Sequence, residues 1–163
     1  MTVSREKQAR SGEAGALLSL TGDATELGTR AALSRIMLQL RSDLSDHLSP
    51  ERCGMVEIAL AEIINNIVEH AYSGRSDGEI RLAARVDGPV LRFDIADDGA
   101  PLPGGALPPG RPADLSVPRD SLPEGGFGWL LIRSLAREIR YDRHGGTNHL
   151  HVAFDLGPAD PAA

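Results

Sequence analysis

Lysine is almost missing from this chain. Of its 17 basic residues only Lys7 is a lysine, and it lies in a polar stretch ahead of the first apolar run. A P-loop needs a lysine after its glycines, and a eukaryotic-type protein kinase needs one on a strand. Neither apparatus can be assembled from the residues after position 7, so any phosphate held here falls to backbone N–H groups, arginine or a metal. Cysteine is as scarce. A lone Cys53 excludes an internal disulfide framework and any multi-cysteine zinc site within one chain, and a reducing cytoplasm is the expected setting. No apolar run reaches the roughly 18–20 residues of a membrane helix, and Met1–Ser11 lack the apolar stretch of a signal peptide. Positive charge is in deficit: a net charge of −6 opposes nucleic acid as a direct partner.

What is present suits one domain. The 163 residues are 41% hydrophobic and 25% charged, enough for one core without disulfide or metal staples. We expect a loose tail over 1–15, a domain over 16–156 and a second tail over 157–163. Ala16–Leu20 suggests a short strand. Asp23-Ala24-Thr25-Glu26 has the form of a capping box opening a helix to about Asp43. Ser49-Pro50 starts another, serine capping and proline at the first turn. Its stripe of Val56, Ala59, Leu60, Ile63, Ile67 and Ala71 predicts a helix to about Tyr72. Alternation then predicts strands over 79–86 and 90–97, joined at Asp87-Gly88. Gly99–Gly126 is rich in proline and glycine and fits no regular element, the mark of a functional or disordered loop. A helix from about Gly128 to Arg137 or Glu138 follows, with Leu131 and Leu135 expected in the core and Ile132 as a further candidate. Ile139–Arg143 reads as a strand, and so does Asn148–Asp155, with Leu150, Val152 and Phe154 inward and His149 and His151 outward. The architecture implied is an α/β (α+β) two-layer sandwich: a mixed, mainly antiparallel sheet with helices on one face.

Three segments carry chemistry. On the second helix Glu62, Asn66 and His70 are four apart and share a face. A carboxylate can take a proton from an attacking hydroxyl, and an asparagine carbonyl suits Mg²⁺; taken alone, the pattern fits a solvated helix face equally well. Asp97-Asp98-Gly99 ends a strand with Asp97 on the face of Leu91, Phe93 and Ile95. That carboxylate could accept a hydrogen bond from an adenine amino group, with Gly99 allowing close approach of the base; alone, it is an ordinary strand-ending turn. Gly125-Gly126-Phe127-Gly128 opens a helix, where N–H groups and the helix dipole favour an anion; alone, it is a hinge. His149 and His151 form an i, i+2 pair that more often does nothing than bind metal. Trp129 and Cys53 read as packing residues.

The order of the three is more specific than any one of them. Helix with Glu62 and Asn66, strand with Asp97-x-Gly99, long loop, then glycine-opened helix resembles the GHKL ATPases of the Bergerat, or histidine-kinase-like ATPase, fold. Leu60-Ala61-Glu62, Asn66, Glu69-His70-Ala71-Tyr72 and Glu124-Gly125-Gly126-Phe127-Gly128 are similar to the small anti-sigma-factor serine/threonine kinases, over roughly residues 16 to 155. The resemblance implies ATP and Mg²⁺ as cofactors, Glu62 as general base and Asn66 as Mg²⁺ ligand. It implies Asp97 as the adenine-binding aspartate beside Gly99, and Gly126 and Gly128 as phosphate-binding glycines ending an ATP lid at about 102–125. Thr147 resembles the late threonine that supports the adenine aspartate. The implied partners are a STAS-domain anti-sigma-factor antagonist, which would be phosphorylated, and a sigma factor, which would be sequestered; family members often form homodimers. A non-catalytic nucleotide-binding module that grips a sigma factor or other regulator is the rival. Pro101 stands where the family's D-x-G-x-G has its second glycine.

Overall fold

A computed structural model describes residues 2–4, 16–23, 30–43, 49–75, 77–109 and 126–157. In chain order these form β1 (Thr2–Ser4), β2 (Ala16–Asp23), α1 (Arg30–Asp43), α2 (Pro50–Asn66), a π-helical turn (Ile67–Ala71), β3 (Glu79–Asp87), β4 (Val90–Asp97), a 3₁₀ turn (Pro103–Gly105), α3 (Gly126–Leu135), β5 (Glu138–His144) and β6 (Thr147–Asp155). The strands make one six-stranded sheet in the order β1-β2-β3-β4-β6-β5. The mainly antiparallel sheet expected from the sequence is present, and every described pairing is antiparallel. The capping box at 23–26 and most of the loop at 102–125 lie outside the described residues.

Alternation dictates the layers. On β3, β4 and β6 the apolar parity, Ile80, Leu82, Ala84, Leu91, Phe93, Ile95, Leu150, Val152 and Phe154, is buried. It packs against Ala32, Ile36 and Leu40 of α1, Val56, Leu60 and Ile63 of α2, and Ile132 of α3 in one core. Phe93 and Phe154 meet edge to face at 5.9 Å, the arrangement their ring quadrupoles favour. The opposite parity carries charge: Arg85 pairs with Asp94, and Asp94 with His151. Helices therefore cover one face and the other meets water.

Local chemistry sets the helix ends. The Ser49 hydroxyl accepts the Arg52 N–H at 3.3 Å and Pro50 occupies the first turn, as the sequence predicts. Continuous α-helix to Tyr72 does not hold, since the helix widens to π geometry at Ile67–Ala71. Of the core candidates on α3, Ile132 is fully buried, Leu135 is half-buried against the core and Leu131 is half-buried, while Trp129 is 7% exposed. The inner stripe of α3 runs through 129 and 132, three apart.

Candidate functional site

The site grows from the end of α2. Glu62 and Asn66 lie one turn apart on its half-buried face, and the π turn continues that wall with His70 and Ala71. π turns inside α-helices often mark functional positions. From the other side α3 brings Gly128 against the pair. A β-carbon there would sit 2.8 Å from Glu62 Oε2 and 3.3 Å from Asn66 Nδ2, so any larger residue would displace those two side-chain ends. Asn66 Nδ2 is buried with no hydrogen-bond partner among the described residues.

Asp97 ends β4 and is 4% exposed. Burial pushes its carboxyl above the ordinary value, while hydrogen bonds from Asn148 and Gly99 and the charge of Arg143 pull it down. Both hydrogen bonds reach Oδ1, from Asn148 Nδ2 at 2.8 Å and from the Gly99 N–H at 2.9 Å. Oδ2 is left to accept from whatever fills the adjoining cavity. That cavity, about 250 Å³, is lined by Asn66, Ile67, His70, Ala71, Asp97, Ala100, Pro101, Leu102, Pro103, Tyr141, Asn148 and Leu150. A second, more open space of about 530 Å³ is bounded by Glu62, Gly128, Leu130, Leu131 and Ser134. Asn66 lines the first and Glu62 and Gly128 the second, and the three residues meet where α3 packs on α2.

The structure adds to one expectation and alters another. A β-carbon on Gly99 would lie 2.6 Å from Ala71 Cβ and 2.7 Å from the Ala71 carbonyl oxygen. Its missing side chain thus serves the seam between strand end and π turn, sealed by the Ala100 N–H donating to that carbonyl at 2.8 Å. Thr147 donates to Asp98 Oδ1 at 3.1 Å, so the support of Asp97 expected of it belongs to Asn148. Neighbours on a strand face opposite ways, and Asn148 stands in register with Asp97. The sequence carried a signal for this: Asn148 shares parity with Leu150, Val152 and Phe154, so it is a polar residue on the inward face. Gly126 is the first residue of α3, two before Gly128. His149 lies away from the cavity, stacked on His144 at 4.2 Å, and no metal-binding cluster of His, Cys, Asp and Glu occurs among the described residues.

Tyr72 holds the strand ends together. Its hydroxyl donates to the Glu79 carbonyl at 2.8 Å and accepts the Asp98 N–H at 3.0 Å. Burial raises its pKa, keeping the phenol neutral. Chemically, the arrangement offers an acceptor oxygen deep in a largely apolar cavity, a buried side-chain amide lacking a partner, and a carboxylate beside a glycine at a helix N-terminus. The Asn66 amide carries one oxygen of the hard type that divalent cations take. Its oxygen and nitrogen exchange places by a flip of the group, which would present a hard oxygen ligand.

Residues 28–154 match the model of the histidine kinase-like ATPase domain. The chain is 34% identical over 98 residues to serine/threonine-protein kinase BtrW of Bordetella bronchiseptica, covering 60% of this chain and 66% of that protein. It is 35% identical over 86 residues to serine-protein kinase RsbW of Bacillus cereus, covering 52% of this chain and 53% of that one. The chain thus spans about half to two thirds of these relatives' length. The solved catalytic domain of histidine kinase ThkA superposes with a TM-score of 0.51 at 10% identity, covering 85% of this chain and 95% of that one, a likeness of fold.

Proposed function

Because this chain belongs to the histidine kinase-like ATPase domain family, we propose that it binds Mg-ATP between helix layer and sheet and acts as an anti-sigma regulatory serine/threonine kinase. The observation that carries this is Asp97: a buried carboxylate with one oxygen satisfied and the other beside a cavity it shares with Asn66. In this reading the adenine amino group donates to Asp97 Oδ2. The phosphates run toward the N-terminus of α3, where the Gly126–Gly128 amides and the helix dipole meet their charge. Asn66 would hold Mg²⁺, which when bound neutralises charge on the β- and γ-phosphates.

Glu62, which lines the second space beside Gly128, serves as the general base. The acceptor oxygen bonds to the γ-phosphorus while the bond from that phosphorus to the β,γ-bridging oxygen breaks. ADP leaves, and the hydroxyl proton passes to the Glu62 carboxylate. The acceptor is a serine or threonine on a STAS-type anti-sigma-factor antagonist. Phosphorylation places about two negative charges in the interface and releases the complex, freeing this chain to sequester a sigma factor. The kinase names of BtrW and RsbW support this reading.

Calorimetry with ATP and magnesium, on wild type and Asp97→Asn, tests the nucleotide half; binding by the wild type and its loss in the variant are expected. Radiolabelled ATP with the cognate antagonist tests the transfer. Label on the antagonist is the expected result, and nucleotide binding without label would favour a non-catalytic module.

A further inference from the structure

Asn148 is 4% exposed, and both ends of its amide are engaged. Oδ1 accepts from the Tyr141 hydroxyl at 2.7 Å and from Arg143 Nη1 at 2.5 Å. Nδ2 donates to Asp97 Oδ1 at 2.8 Å and the Ala100 carbonyl at 3.0 Å, with a longer contact to the Gly99 carbonyl at 3.4 Å. Turned over, the amide would aim N–H at a guanidinium and oxygen at a carboxylate, so one orientation is imposed. The same residues fix the backbone of the cavity wall: Arg143 also donates to the Gly99 carbonyl at 3.0 Å, and the Tyr141 hydroxyl accepts the Leu102 N–H at 3.2 Å.

We propose that Asn148, held in place by Tyr141 and Arg143, is the positioning residue that makes this cavity choose a 6-amino purine over a 6-oxo purine. The proposal rests on the nucleotide-binding reading given above. A 6-amino group donates a hydrogen bond and a 6-oxo group accepts one. An ionised Asp97 accepts only, so Oδ2 welcomes the first and repels the second. A protonated Asp97 could donate to the 6-oxo group, and burial favours that form. Asn148 opposes it twice, by donating to the ionised carboxylate and by confining that contact to Oδ1. The other groups facing Asp97 are Arg143 from β5, which favours ionisation, the neighbouring Asp98, which disfavours it, and the phenol of Tyr72 from the π-turn side. His70 and Tyr141 line the same cavity. Asn148→Ala also takes an acceptor from Tyr141 and Arg143, and Tyr141→Phe, which leaves the Asn148 amide on Asp97, is the control for that.

The test is calorimetry of ATP and of inosine triphosphate, each with magnesium, on the full chain as wild type, Asn148→Ala and Tyr141→Phe across the pH range in which the wild type stays folded. The expected result is an ATP preference in the wild type that falls about tenfold in Asn148→Ala. The fall should deepen as pH drops and be smaller in Tyr141→Phe. Equal weakening of both nucleotides, with the ratio unmoved at every pH, would make Asn148 a structural residue only and overturn the proposal. Binding of both nucleotides by the wild type without preference overturns it too, while leaving ATP binding standing. If the wild type binds neither nucleotide, the nucleotide-binding reading fails and takes this proposal with it. Should melting curves show that Asn148→Ala does not fold, Tyr141→Phe decides: a reduced ATP preference supports the proposal and an unchanged one overturns it.

Discussion

The residue with most at stake is Asp97, because its ionised form is costly to bury and is also the form the proposed function requires. Its folded pKa lies above the unfolded value, so folding favours the protonated carboxyl. That stabilisation is complete below the unfolded pKa and is lost as pH rises through the folded one. Asn at this position can accept the same two hydrogen bonds with no charge to bury. Asp97→Asn is therefore expected to abolish ATP binding while melting at or above the wild-type temperature at neutral pH, the difference shrinking in acid. A large neutral-pH destabilisation would contradict this account. Glu62 separates binding from chemistry. Glu62→Ala should keep ATP affinity within a few-fold and lower transfer to the antagonist by about 10²–10⁴; full transfer would end its assignment as base. Both residues were legible as types at a spacing. Asn148 is legible only through strand parity, because Thr147 beside it resembles a familiar motif.

Among the elements, the α2 end and the β4 end depend on each other. Tyr72 bridges the Glu79 carbonyl and the Asp98 N–H, and a β-carbon at Gly78 would fall 2.1 Å from the Tyr72 ring. Tyr72→Phe strands two polar groups and is expected to cost about 1–3 kcal/mol, read as a lower urea midpoint. ATP affinity should fall with it, since the Asp97-Asp98 turn loses its anchor. Gly99→Ala should be comparably harmful at about 1–3 kcal/mol, for its β-carbon would meet the Ala71 backbone, which cannot swing aside as a side chain can. The helix start at Ser49-Pro50 and the strand alternation were readable here because they are local. The π turn was not, because the apolar stripe through Ile67 and Ala71 reads the same whether the helix holds its pitch or widens.

For the whole molecule, nucleotide and fold should be linked. A ligand that binds only the native state adds RT ln(1 + [L]/Kd), about 2.7 kcal/mol at a hundredfold excess over Kd. For a domain of this size that is roughly 5–10 °C in melting temperature. Mg-ATP is expected to raise the melting point by that order, and Asp97→Asn to remove the shift. The outer face of the sheet is built differently. Its ion pairs, such as Arg81–Glu79 and Arg140–Glu138, are largely exposed and should contribute little, so high salt should move the unliganded melting point far less than nucleotide does.

By itself the sequence determined the two layers, the near-absence of lysine that excludes a P-loop, and the order in which Glu62, Asn66, Asp97 and the glycines arrive. Those follow from composition and from periods of 2 and 3.6 residues, which are properties of the chain alone. The tertiary structure decided which residue touches which: that Gly128 closes on Glu62 and Asn66, that Gly99 serves Ala71, and that Asn148 answers Asp97. Register across β4 and β6 and the seating of α3 on α2 join residues distant in sequence, and no local pattern encodes a contact between them.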